Sequence, residues 1–123
     1  MEIKIQTQYA LSELIDFAYY EKVDEVWDSQ LDGMAIFTSS NQTELKPETP
    51  VYLDYINPEL NKDNVEGYSS FVIRNNLDIL CLGEIFLDVI DFYKTQKSNL
   101  DYNLVIRSLT YYLEKDDFLE LKI

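Results

Sequence analysis

Carboxylates are the chemistry-bearing side chains this sequence holds in quantity: 23 Asp and Glu stand against 10 Lys and Arg, with no histidine and one cysteine. The stretch GEIFLDVIDFYK, residues 83–94, sets three of them in a row. At helical period Glu84, Asp88 and Asp91 fall at i, i+4 and i+7, along one edge of a helix otherwise rich in Ile, Phe, Leu and Val. Three chemistries use such a row. It can be a solvated outer face, a set of acids for hydrolysis or for a hard cation, or an anionic surface for a cationic partner.

The second chemistry lacks its other parts. Without histidine the Ser-His-Asp and Cys-His arrangements are impossible, as are H-E-x-x-H zinc sites. The glycines Gly33, Gly67 and Gly83 form neither G-x-G-x-x-G nor a phosphate-cradling P-loop. NKDNVEGYSS has the outline of a calcium loop, but aligning Gly67 with the invariant loop glycine puts Lys62, Asn64 and Glu66 at the first three ligand positions, and a lysine cannot ligate calcium. Glu84, Asp88 and Asp91 come with no second motif. The expectation is therefore a chain that is not an enzyme, with no cofactor, no metal and no catalytic residue. Cys81, inside the apolar run LDILCLGEIF, has no second cysteine to pair with and is expected in the core.

The net charge of −13 turns attention to partners. Phosphate backbones and anionic headgroups attract clustered Lys and Arg, and here the cations are scattered singly, so neither nucleic acid nor membrane is an expected partner. A basic protein is. Ten tyrosines accompany one Trp and six Phe. Tyr102 and Tyr112 sit at core spacing, but Tyr19, Tyr20, Tyr52, Tyr55, Tyr93 and Tyr111 cannot all be core, and several neighbour acids, as in VYLDYI, AYYEK and DFYK. Exposed tyrosine beside carboxylate supplies rigid area and charge complementarity. The expected partner-binding set is Asp88 and Asp91 together with Asp54, Tyr55, Glu59 and Asp63.

These side chains need a scaffold. A length of 123 residues with 46% hydrophobic content suits one domain with a real core and is too apolar for disorder. No charged segment followed by an apolar one opens the sequence, and no uncharged run approaches the roughly 20 residues that span a bilayer, so the cytoplasm is expected and the sequon Asn41-Gln42-Thr43 carries no weight. TQYALSELIDFAYYEK reads as a helix with Thr7 near its N-cap, Leu11, Leu14, Ile15 and Ala18 inward, and Glu13 and Asp16 outward. Asp32-Gly33 is a hairpin cue with MAIFT as the second strand, and Trp27 is expected to anchor this region. VYLDYI reads as a strand that stops at Asn57-Pro58, and NPELNKDNVEGYSS as an acidic surface loop.

FVIRNNLDILCL admits a hairpin at Asn75-Asn76, or a short helix from Ser70 closed by a left-handed Asn before a strand over 78–82, with the second preferred. Two helices follow, over 84–96 and 99–114. Ile85, Leu87, Val89, Ile90 and Phe92 are the expected inward residues of the first, and Tyr102, Val105, Ile106, Leu109, Tyr112 and Leu113 of the second. Ser98-Asn99-Leu100-Asp101 has capping-box form. EKDDFLELKI either adds a last strand or packs Phe118, Leu119 and Leu121 back on the domain. The sum is an α+β fold, a small, mostly antiparallel sheet with about three helices.

NNLDILCLGEIFLDVIDFYKTQKSNLDYNLVIRSLTYYLEKDDFLEL, residues 75–121, resembles small acidic bacterial immunity proteins of polymorphic-toxin and contact-dependent growth inhibition systems, in which a strand leads into two amphipathic helices and a Tyr-Tyr, Asp-Asp-Phe-like tail. The resemblance implies binding and neutralisation of a cognate toxin domain, commonly a basic nuclease, and assigns no individual residue. Two other readings stay open. A DNA mimic would spread carboxylates in rows along an elongated face, and a small carboxylate enzyme would gather them in a cleft.

Overall fold

The computed structural model describes residues 3–21, 29–42, 44–56 and 68–121. Within them the chain is α+β: β1 (Gln8–Ala10), α1 (Leu11–Tyr20), β2 (Met34–Ser39), β3 (Pro50–Tyr55), α2 (Ser70–Arg74), β4 (Leu77–Leu82), α3 (Gly83–Gln96) and α4 (Tyr102–Lys115). The strands form one antiparallel sheet in the order β1-β3-β2-β4.

Strand alternation sorts the core into two layers. Ile36, Val51, Leu53 and Cys81 face α1, α3 and α4 in the larger cluster, while Ala35, Phe37 and Leu77 on the other face pack with Val72 of α2. β4 breaks the alternation once. Ile36 pairs with Cys81 and Phe37 with Ile79, so Leu80 is the extra residue of a β-bulge. The bulge lets the adjacent Leu80 and Cys81 both reach the helix-covered face.

α1 buries Leu11, Leu14, Ile15 and Ala18, as its spacing predicts. Its start is later than expected because residues 8–10 pair with β3 as a strand, and Ala10, not Thr7, is the N-cap residue. The first helical N–H groups find carbonyls in the loop before β3, Leu11 N to Thr49 O at 2.9 Å and Ser12 N to Pro47 O at 2.8 Å. Among the described residues the Asp32-Gly33 hairpin is not formed. Both edges of β2 are taken, by β3 and β4, so residues 29–33 are a turn that delivers the chain into β2, with Gly33 at φ 83°. Trp27 lies outside the described residues.

The ambiguous stretch adopts the second alternative: Ser69 caps α2, Asn76 is left-handed at φ 52°, and β4 follows. α4 starts three residues later than the capping-box reading, because Asp101 is itself the N-cap and accepts from Asn103 N at 3.0 Å and Leu104 N at 3.3 Å. Its inward stripe is Val105, Ile106, Ser108 and Leu109, while Leu113 points out. After a left-handed Asp116 the segment 117–121 adds no strand. It folds back on α3, with Phe118 stacked on Phe92 at 5.0 Å and Gln96 bonded through both its amide atoms, to Leu119 O at 3.2 Å and from Leu121 N at 2.7 Å.

A candidate protein-binding surface

The described carboxylates divide by what they touch. Most of those on α1 and the strands hold the fold. Glu13 accepts from Ala10 N at 2.8 Å, Asp16 accepts from the Tyr102 hydroxyl at 2.6 Å and so ties α1 to α4, and Glu21 accepts from Ser29 Oγ and Gln30 N. Asp54 belongs with them, contrary to its expected place on a partner-facing surface. Only 3% exposed, it accepts from Gln6 Nε2 at 3.1 Å, Ser69 Oγ at 2.6 Å and Tyr55 N at 2.8 Å. It clips two loops to β3. Even alternation puts Asp54 on the sheet face opposite Leu53, and that face is covered here by α2.

α3 is the contrast. Phe86, Leu87, Val89, Ile90 and Tyr93 are buried, Ile85 and Phe92 half-buried, and Glu84, Asp88 and Asp91 project into solvent. None of the three accepts a hydrogen bond or forms an ion pair among the described residues. The helix carries a single cation, Lys94, and it leans the other way: its Nζ donates to Tyr19 O at 3.0 Å and lies 5.1 Å from the centre of the Tyr19 ring. The row therefore stays uncompensated. Partial burial, reinforced by the charges of Asp91 and Glu84, raises the Asp88 carboxyl above its ordinary range. Glu84 alone has a local reward, at the positive end of the helix.

What positions this row is a close backbone approach. A Cβ on Gly83 would sit 2.0 Å from Leu31 O, so only glycine lets α3 start against the turn before β2. That contact brings Glu84 beside Asp32, and the two line a shallow groove of about 430 Å³ with Gly33, Met34, Ile56 and Leu82. Tyr55, 51% exposed, pairs with Met34 at the same end of the sheet. Of the expected partner-binding residues, then, Tyr55, Asp88 and Asp91 are exposed, the last two in one row with Glu84 on α3. Asp54 is withdrawn from the surface, and Glu59 and Asp63 lie outside the described residues. Asp32 and Leu82 join the groove without a sequence cue: the first reads as a turn residue, and the second as the apolar end of a strand.

The tyrosines divide in the same way. Tyr93, fully buried, donates to Asn99 O at 2.8 Å and accepts from Asp101 N at 3.0 Å, whereas Tyr20 and Tyr55 are exposed. Cys81 is buried as expected, and burial pushes its thiol up to about 12. Among the described residues no three His, Cys, Asp or Glu side chains converge as metal ligands, and no helix is long and apolar enough to cross a membrane. The chain matches no protein-family model, no curated protein and no solved structure.

Proposed function

We propose that this protein is a cytoplasmic binding protein that neutralises a basic partner, a toxin domain of the nuclease type, through the α3 carboxylate row and the tyrosine-bearing end of the sheet beside it. The observation that carries the reading is the uncompensated row itself. A helix whose only cation is turned away leaves three like charges to repel one another, an arrangement that a cationic surface relieves. A net charge of −13 adds long-range steering toward a protein built to hold nucleic acid. The resemblance of residues 75–121 to immunity proteins supports the same role, and inhibition by occupancy asks for no catalytic group.

The test is co-expression with the product of the adjacent open reading frame, followed by association kinetics with the purified pair. Growth arrest by the neighbour alone, relieved by this chain, is the expected result. A neighbour that is harmless, or that does not bind, overturns the reading. In the bound pair, Asp88→Lys with Asp91→Lys is expected to slow association about tenfold or more at low salt and to flatten its salt dependence, while circular dichroism stays unchanged. Unchanged kinetics would return the row to a solvated face.

A further inference from the structure

The two edges of the sheet are unlike. β1 is only three residues long and runs straight into α1, whereas β4 is six residues long and, among the described residues, its backbone pairs with β2 alone. Two of the exposed large apolar side chains sit on β4, Ile79 and Leu82, each 37% exposed and facing away from α1, α3 and α4. On its other face Leu80 lines a groove of about 680 Å³ shared with α4, where Tyr111 is half-buried and Leu113 exposed, and where the charged lining residues are Glu44, Glu114 and Arg107. An unpaired edge with apolar side chains on both faces is the template to which an extended segment adds.

We propose that β4 receives an extended segment of the basic partner as a fifth strand. The proposal rests on the protein-binding reading and specifies how the partner docks. Charge selects the occupant. A second copy would bring another −13 and set a second Asp78 near the first across the edge. A strand with Lys or Arg opposite Asp78 and near Glu84, and with apolar residues between, satisfies the acids and covers Ile79, Leu80 and Leu82 at once. The bulge at Leu80 confines the regular ladder to Leu77–Ile79, so Asp78 sits at the centre of the readily paired stretch and acts as the gatekeeper.

The test uses an end-blocked peptide of about ten residues alternating Lys and Val, the same peptide N-methylated at every residue of its central stretch so that neither edge can donate, and a Glu–Val counterpart, each added to the isotope-labelled intact chain. Expected are amide shifts along residues 77–82 and about tenfold slower exchange within 77–79 with the Lys–Val peptide only, lost on Asp78→Lys, a change at an exposed site that leaves the spectrum otherwise native. Shifts confined to Glu84, Asp88 and Asp91 with unchanged exchange in β4 overturn strand addition while leaving the basic-partner reading standing. Equal binding of the N-methylated peptide overturns it too, since that peptide cannot complete the ladder. Concentration-dependent dimerisation that protects β4 overturns the choice of occupant.

Discussion

Asp54 and Asp88 are the same side chain in opposite situations. Asp54 is buried on the α2-covered face of the sheet with its oxygens occupied by Gln6, Ser69 and Tyr55, and Asp88 stands on α3 with no hydrogen-bond or ion-pair partner among the described residues and two acids for neighbours. The first is held by the fold through both oxygens and buried out of a ligand's reach. The second contributes little to the fold and retains its whole hydrogen-bonding capacity. In a chain this acidic, what separates a structural carboxylate from an available one is whether its own neighbours have already satisfied it, not its presence in an acidic segment.

The comparison breaks most easily at Asp54. Asp54→Ala leaves the Gln6 amide, the Ser69 hydroxyl and the Tyr55 N–H without an acceptor, and Ser69 is also the cap of α2, accepting from Val72 N at 3.3 Å. A loss of about 3 kcal/mol is expected from chemical denaturation, as for other buried groups stripped of their partner. A loss under about 1 kcal/mol would mean that water reaches these donors and that Asp54 is not structural.

A tyrosine pair sharpens the same contrast at smaller scale. Tyr93→Phe removes the hydroxyl that joins Asn99 O to Asp101 N ahead of α4, and about 1 kcal/mol of stability is expected to go with it. Tyr55→Phe, at an exposed hydroxyl, is expected to stay within about 0.5 kcal/mol of the parent. Equal effects at the two positions would remove the distinction between satisfied and available tyrosines. Between these in character is Cys81, where alkylation of the native chain is expected to proceed at least about 100-fold more slowly than in denaturant, because burial both shields the sulfur and withholds the thiolate.

Residues whose neighbours are local in sequence were the legible ones. The inward set of α1, strand β3, the α2-to-β4 passage and the outward row of α3 all follow from periodicity and caps. Where long-range pairing decides, local cues mislead. Thr7 has a capping residue's chemistry, yet residues 8–10 are claimed by β3, and Asp32-Gly33 has a hairpin's chemistry, yet no free edge of β2 remains for it. Asp54 departs from its expected exposure for a related reason: it alternates with Leu53 as a strand residue should, but nothing near it in sequence says that a five-residue helix some fifteen positions later covers that face. Phe86 and Tyr93 were missed as core because α3 buries a wider arc than a single stripe, packed between α1 on one flank and α4 with residues 118–121 on the other.

The smallest expected effect tests the other side of the comparison. If Asp88 is unsatisfied, the folded state holds its proton more tightly than the unfolded chain does, since partial burial, Asp91 and Glu84 all raise its carboxyl. The native state then binds more protons through the carboxylate range, so this residue's contribution to stability falls as pH rises through that range and is an unfavourable one at neutral pH. Asp88→Asn removes the charge at nearly constant shape. At pH 7 and low salt the variant is expected to be more stable by about 0.3 kcal/mol, the size of an exposed like-charge pair at helical spacing. The gain is expected to vanish below the carboxylate range, where the parent's Asp88 is itself neutral, and to shrink in about 1 M salt, where repulsion between exposed charges is screened. A variant less stable than the parent at pH 7 would show that Asp88 has a partner after all, and the row on α3 would then belong with Asp54 among the carboxylates that hold the fold.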